Sequence, residues 1–201
     1  MSVHRAGLAG YRVAQAACRA NGRGRGFTVI ELMVTVTILA IVVGIGAPAM
    51  RDFVIRGRIQ SQASDLSTDM QFARSEAGRR QQRVVICQSN STNINTTSET
   101  APTGCGATNW NAGWIVFVDA NRNNTFDSGV TGEEILRVHQ AVPTNVSVVP
   151  SPGTVAMYYR PTGPADAART FTICQSNYAG RAVSVNITGR TSVAPTTAIC
   201  P

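Results

Sequence analysis

The chain has 201 residues, 43% of them hydrophobic, which fits one domain of ordinary size plus a membrane segment and predicts a real core. All 18 basic residues are arginine, and with 11 acids they give a net charge of +7. Five arginines and no acid precede Phe27, so the chain from Phe27 onward carries only +2. Because most of the excess charge precedes Phe27, the net charge is no evidence that the rest of the chain binds nucleic acid or an anionic membrane.

The first predicted element is an apolar helix. Leu32 to Met50 contains 19 uncharged residues, about the length that crosses a bilayer. The arginines before it should stay in the cytoplasm and place the following chain outside. A secretory signal would carry its small-residue cleavage site after the apolar run, whereas Gly26 lies before it. Cleavage at Gly26 would therefore leave the hydrophobic helix on the mature protein as a single-pass anchor.

The heptapeptide GFTVIEL, Gly26 to Leu32, resembles the processing site of type IV pilins and type II secretion pseudopilins. The resemblance implies that a prepilin peptidase cleaves after Gly26 and methylates the new terminal amine of Phe27. Glu31, the fifth residue of the mature chain, matches the glutamate of that family. Residues 1–26 would then be a cleaved leader, and residues 27–50 a transmembrane and assembly helix.

Glu31 is the one acid at the front of the apolar run. A carboxylate in a low-dielectric medium is tolerated when it finds a positive partner. In a filament, Glu31 can neutralise the amine of Phe27 of the neighbouring subunit. The free-energy cost of the unpaired carboxylate in lipid then favours assembly. The alternative is an ordinary membrane anchor with an acid near its end.

The helix is predicted to continue beyond the membrane. Ile59, Ala63, Leu66, Met70, Ala73 and Ala77 follow spacings of four and three residues, which predicts one apolar stripe packed on the chain's own sheet. The helix should run from about Thr28 to Arg80 with a break near Pro48, because proline removes a backbone donor. Residues 51–82 are its amphipathic continuation.

Residues 83–201 are predicted to form a β-rich head. Short runs rich in valine, isoleucine, threonine and aromatic residues alternate with turn-forming residues. These runs are RVVICQS, GWIVFVDA, EILRVHQAV, NVSVVP, TVAMYYR, RTFTICQS and RAVSVNIT. The fold class is therefore α+β, a pilin-like lollipop in which a long N-terminal helix, transmembrane in its first half, packs on an antiparallel β-sheet head.

The segment Gly113 to Ala141, GWIVFVDANRNNTFDSG followed by EEILRVHQA, is similar to the GspH/FimT subgroup of minor pilins and pseudopilins. The resemblance implies a non-enzymatic subunit, without cofactors, that primes filament assembly near the tip. Its partners would be other pilins or pseudopilins, the prepilin peptidase and the inner-membrane assembly platform. The head would be periplasmic before the subunit enters a type IV pilus or a type II secretion pseudopilus, and the sequence favours neither system.

Four cysteines follow the leader, an even number that predicts two disulfides in an oxidising compartment. Of the three pairings that four cysteines allow, we favour Cys87 with Cys105 and Cys174 with Cys200, since each closes a modest loop. No C-x-x-C or nearby histidine gives zinc-ligand spacing.

Other chemistry is weakly indicated. Asp119 to Val130 begins like a calcium loop, but Asn124 and Val130 stand where glycine and glutamate belong, and an Asn/Asp-rich hairpin explains the same residues. His139 has no histidine partner beyond the leader, and Glu133 and Glu134 should point to opposite strand faces. No catalytic or metal site is predicted.

DNA capture in natural transformation is the alternative function. Some FimT proteins are DNA receptors, and the resemblance there rests on a Gly-Arg-x-Arg motif. Gly189 and Arg190 supply its first half, whereas Ser192 replaces the second arginine. Arg181 could supply a second phosphate contact if its strand places it on the same face as Arg190. A plain membrane-tethered periplasmic domain, uncleaved after Gly26, is the third alternative.

Overall fold

The computed structural model describes residues 26–89, residue 105 and residues 109–197. The chain divides between Ile45 and Gly46 into two compact units. The helix α1, Val29–Arg80, begins in the first unit and continues into the second. The eight strands of the described residues, and a short 3-10 helix at Trp110–Ala112, all belong to the second unit.

The ends of α1 agree with the predicted helix, but the predicted break near Pro48 is wrong. Residues 47–49 are helical, and α1 continues through them to Arg80. A proline removes one backbone donor, whereas unwinding would leave several more backbone groups unpaired in an apolar stretch. The helix ends instead at Gln81, whose φ of 55° reverses the backbone and whose side-chain Nε2 donates to the Gly78 carbonyl at 2.6 Å.

The apolar stripe of α1 is confirmed as the face that packs on the head. Its six predicted positions are buried and belong to one hydrophobic cluster with residues of both sheets: Ile59, Ala63, Leu66, Met70, Ala73 and Ala77. Fully burying a large aliphatic side chain stabilises a fold by about 1.5–3 kcal/mol. The stripe therefore fixes this half of the helix to the sheets.

Within its described residues the head contains two antiparallel sheets of four strands each. The strands are β1, Val84–Gln88; β2, Trp114–Val118; β3, Glu134–His139; β4, Ser147–Ser151; β5, Ala156–Tyr159; β6, Arg169–Gln175; β7, Tyr178–Val185; and β8, Thr191–Pro195. The first sheet has the order β3-β2-β1-β5 and the second the order β4-β6-β7-β8. All seven predicted strand runs are confirmed as strands. The eighth strand, β8, was not predicted, because its sequence TSVAP has neither a continuous apolar run nor a buried face.

The two central strands of the first sheet are buried on both faces. Every residue of β1 and β2 is buried, which explains why both read as unbroken apolar runs. Val84 and Ile86 face the cluster that contains the α1 stripe, whereas Val85 and Cys87 belong to a second, smaller cluster on the opposite face. This sheet is thus a layer between two apolar cores.

One buried carboxylate links the helix to the first sheet. Asp69, beside the apolar stripe, accepts hydrogen bonds from Trp114 Nε1 at 2.9 Å and from Arg137 Nη1 at 3.0 Å. The ring of Trp114 stacks on His139, with 3.8 Å between the ring centroids. Because buried charge is costly unless it is hydrogen-bonded, Asp69 fixes the register between α1, β2 and β3.

The structure contains a disulfide between Cys87 and Cys105, with 5.3 Å between the Cα atoms. It closes a sequence separation of 18 residues, for which loop-closure entropy gives a stabilisation of about 3 kcal/mol. The predicted pairing of Cys174 with Cys200 stays a prediction, because Cys200 lies outside the described residues.

An ionic cluster at the end of α1 makes stability depend on pH. Glu76 accepts hydrogen bonds from Arg79 at 2.9 Å and from Arg80 at 2.7 Å, and Arg80 also pairs with Glu134. These hydrogen bonds lower the pKa of Glu76 from 4.5 to about 2, and the bond from Arg79 has the largest effect. A carboxyl group whose pKa is lower in the folded state than in the unfolded state stabilises the fold. This stabilisation is complete above the unfolded-state pKa and is lost as the pH falls through the folded-state pKa.

We therefore expect the free energy of unfolding to fall as the pH drops from 4.5 to 2. Because water screens the exposed Arg79, the contribution of Glu76 should be only about 1 kcal/mol. Denaturant unfolding at pH values across this window should show the loss in the unchanged chain and a smaller loss in Glu76→Gln. Equal losses in both proteins would contradict the assignment to Glu76.

Candidate assembly and DNA-binding sites

The described part of the first unit presents an exposed apolar helix surface. From Gly26 to Ile45 every residue is exposed, including large side chains such as Phe27, Leu39 and Ile45. By length and composition, α1 is the one helix of the described residues that could cross a membrane. An exposed apolar surface of this extent is stable only against lipid or other apolar helices.

Glu31 and Phe27 lie at the start of this helix, and the local geometry shows how the helix begins. Thr28 is the N-cap: its Oγ1 accepts a hydrogen bond from the Glu31 amide at 3.2 Å, and its carbonyl accepts one from the Leu32 amide. Thr28 and Glu31 thus have the spacing of a capping box, and the negative charge of Glu31 lies at the positive end of the helix dipole. The sequence pattern T-x-x-E could have revealed this second role of Glu31.

Two threonines in the apolar segment bond to their own helix. Thr35 Oγ1 donates to the Leu32 carbonyl at 2.9 Å, and Thr37 Oγ1 donates to the Met33 carbonyl at 2.8 Å. Because each hydroxyl is satisfied locally, neither needs water or a polar partner. Their polarity is therefore compatible with a helix in lipid.

Arg181 and Arg190, two of the residues predicted for DNA binding, lie at opposite ends of one strand pair. Arg181 pairs with Pro195 at one end of the β7–β8 ladder, whereas Arg190 follows the turn at the other end, where Val185 pairs with Thr191. From Arg181 to Val185 alone the strand spans about 13 Å at about 3.3 Å per residue. Strand pairing by itself therefore does not bring the two guanidinium groups together.

Gly189 has a structural reason to be glycine. Its φ is 81°, and a Cβ at this position would lie 2.2 Å from the carbonyl oxygen of Gly163. The next residue, Arg190, is exposed, and its amide donates to Asn186 Oδ1 at 2.8 Å. The turn therefore presents Arg190 to solvent and uses Gly189 for packing.

The loop that resembles a calcium site has its oxygens engaged within the protein. Asp119 accepts hydrogen bonds from the amides of Asn123 and Asn124, and its Oδ2 lies 3.0 Å from Arg83 Nε. Asp127 accepts from the side-chain amides of Asn121 and Asn123. Within the described residues no group of three metal-ligating side chains comes together. The hydrogen bonds support the hairpin interpretation.

The chain matches two family models. The model described as type II transport protein GspH matches residues 62–189, and the model of the prokaryotic N-terminal methylation motif matches residues 22–47. No curated protein sequence matches this chain significantly. The first match covers the end of α1 and strands β1 to β7, and the second covers the predicted cleavage site and most of the apolar helix.

Two crystal structures of the type IV minor pilin FimU from Pseudomonas aeruginosa strain PAO1 match this chain. The form in space group P21 is 22% identical, covers 71% of this chain and 92% of its own, and has a TM-score of 0.51. The form in space group P65 is 22% identical, covers 68% of this chain and 92% of its own, and has a TM-score of 0.48. The first likeness shows a pilin-like fold, a long helix on antiparallel sheets.

Proposed function

This chain belongs to the GspH family of minor pilins and pseudopilins, and we propose that it primes the assembly of its filament near the tip. The observation that carries the proposal is the combination of a fully exposed apolar helix and a head with its own core. Such a helix needs lipid before assembly and the helices of other subunits afterwards. The proposed work is therefore assembly, and not catalysis.

The proposed processing follows from the N-terminal segment. A prepilin peptidase would cleave after Gly26 and methylate Phe27, which frees a terminal amine four residues before Glu31. In the packed helices of a filament, that amine and the Glu31 carboxylate of a neighbour would neutralise each other, because neither charge has water available there. Phe27 and Glu31 would thus set the register between subunits.

The proposed location changes with assembly. The apolar helix would first hold the subunit in the inner membrane, and the arginine-rich leader would keep the N-terminus cytoplasmic and the head periplasmic. The assembly platform would then transfer the subunit into a type IV pilus or a type II secretion pseudopilus. Other pilins or pseudopilins would contact both the helix and the head.

The test is to remove the chain from its cell and count filaments. Because a priming subunit acts once per filament, we expect far fewer filaments, while those that remain keep a normal length and subunit composition. The N-terminal mass of the membrane-purified chain should correspond to a methylated Phe27. Unchanged filament number would overturn priming, and an intact segment before Phe27 would favour the plain membrane-tethered domain.

DNA capture at the tip is the alternative proposal. It is supported by Arg190, which is exposed at the turn before β8 and lines a cleft together with Arg74 and Arg79. Arg181 lies at the other end of the β7–β8 pair and does not line this cleft. Assembly is therefore the function that the geometry supports best.

A further inference from the structure

A cleft at the end of α1 brings together three arginines that are far apart in the sequence. It encloses about 480 Å³ and is lined by Arg83, Arg122 and Arg160, together with Tyr158 and Asp119. Arg83 follows α1, Arg122 lies between β2 and β3, and Arg160 follows β5 directly. We name these three residues with Tyr158 the arginine cleft.

Arg83 is held at the base of the arginine cleft. Its guanidinium lies over the ring of Tyr158, 3.6 Å from the centroid, and its Nε lies 3.0 Å from Asp119 Oδ2. The side chain is only 15% exposed, and its Nη2 is buried without a hydrogen-bond partner among the described residues. A buried cationic donor without a partner is costly, and an anion beside it would reduce that cost.

Arg122 and Arg160 form the open side of the cleft. Both are exposed, and neither side chain makes a hydrogen bond or ion pair within the described part of the chain. Arg122 has a φ of 65°, a left-handed conformation that is uncommon for a residue other than glycine. The hydrogen bonds of Asp119 to the amides of Asn123 and Asn124 hold the loop in place and thereby position Arg122.

The charge of the cleft selects a class of ligand. Three guanidinium groups beside the single carboxylate of Asp119 leave a net charge of about +2, and a phosphomonoester carries about −1.5 to −2 near neutral pH. One planar carboxylate is already satisfied by one bidentate arginine, whereas the oxygens of a phosphate can accept from arginines in several directions. An internal phosphodiester carries a single charge and matches less well.

We propose that the arginine cleft binds the dianionic phosphate of a phosphomonoester, either soluble or carried on a lipid. The site does not include Arg181, Gly189 or Arg190, and it does not depend on whether the chain primes assembly. Arg122 and Arg160 would contact the phosphate directly, and Arg83 would supply charge from below.

The test titrates the full chain, in a neutral detergent, with methyl phosphate and with dimethyl phosphate by calorimetry. Methyl phosphate should bind at one saturable site, at least about 10-fold more tightly than dimethyl phosphate, because only methyl phosphate has a second negative charge to interact with the arginines. The double variant Arg122→Gln/Arg160→Gln should lose at least about 10-fold in affinity for methyl phosphate. Since both side chains are exposed and unpaired, the variant should keep its thermal unfolding midpoint.

The matched control is Arg56→Gln/Arg58→Gln, which removes two exposed arginines from α1 and should bind as the unchanged chain does. No saturable binding, equal affinity for the two probes, or equal loss in both double variants would overturn the proposal. Duplex DNA that binds while methyl phosphate does not would also overturn it. Competition by phosphatidic acid in the micelle would assign the phosphate to a lipid, and its failure to compete would assign it to a soluble ligand.

Discussion

Replacing Glu31 by glutamine should leave the chain inserted and cleaved but keep it out of filaments. Glutamine serves at this position of a capping box as glutamate does, so the helix start at Thr28 is preserved. The negative charge is lost, and the amine of a neighbouring Phe27 remains unpaired among apolar helices. Removing one partner of a buried ion pair costs about 3–5 kcal/mol, so incorporation should fall about 100-fold or more.

The matched control is Thr28→Ala, which removes the cap and keeps the charge. It should cost about 1 kcal/mol at the first turn and reduce incorporation only modestly. Quantitative immunodetection of the chain in sheared filaments, normalised to its amount in the membrane, measures both variants. If Glu31→Gln enters filaments normally and Thr28→Ala does not, Glu31 acts through the helix start and not through its charge.

Replacing Gly189 by alanine should destabilise the head by about 4 kcal/mol. The new Cβ would lie 2.2 Å from the Gly163 carbonyl oxygen, so one of two backbone segments must move. The left-handed backbone adds about 1–2 kcal/mol for a residue with a side chain, and overpacking adds about 1–3 kcal/mol. Denaturant unfolding of the detergent-solubilised chain, followed by the fluorescence of the buried Trp110 and Trp114, measures the change.

Gly163→Ala separates the two causes. Gly163 also has a positive φ, 100°, but a Cβ there would approach no atom closer than 3.5 Å. Gly163→Ala should therefore lower the free energy of unfolding by only about 1 kcal/mol, the conformational cost of a side chain at a positive φ. Equal losses at the two positions would show that close approach is not what requires glycine at residue 189. A loss of DNA binding in a Gly189 variant would reflect the fold, so Arg190→Ala is the informative change for that alternative.

The pattern of apolar residues was sufficient to predict the elements that pack in a core. The α1 stripe and the buried strands β1 and β2 follow directly from the spacing of apolar residues. Strand β8 was not predicted because an exposed edge strand has no apolar pattern. The predicted break at Pro48 was wrong because one lost hydrogen bond does not end a long helix.

The sites were less predictable because they depend on register and on long-range contacts. Whether Arg181 and Arg190 lie together depends on how β7 pairs with β8, which the spacing of the two residues does not reveal. Arg83, Arg122 and Arg160 meet only because the end of α1, a hairpin connection and the end of β5 converge. The capping role of Thr28, by contrast, is local and follows from T-x-x-E alone.

The edges of the second sheet bear on whether it can pair with a sheet of a neighbouring head. Strands β4 and β8 are the two edges of the second sheet, and they contain Pro150 and Pro195. A proline in an edge strand interrupts the row of amides that another strand would need for continuous pairing. Contacts that a neighbouring head makes at the second sheet should therefore be side-chain contacts that can reverse, and not a continuation of that sheet from one head into the next.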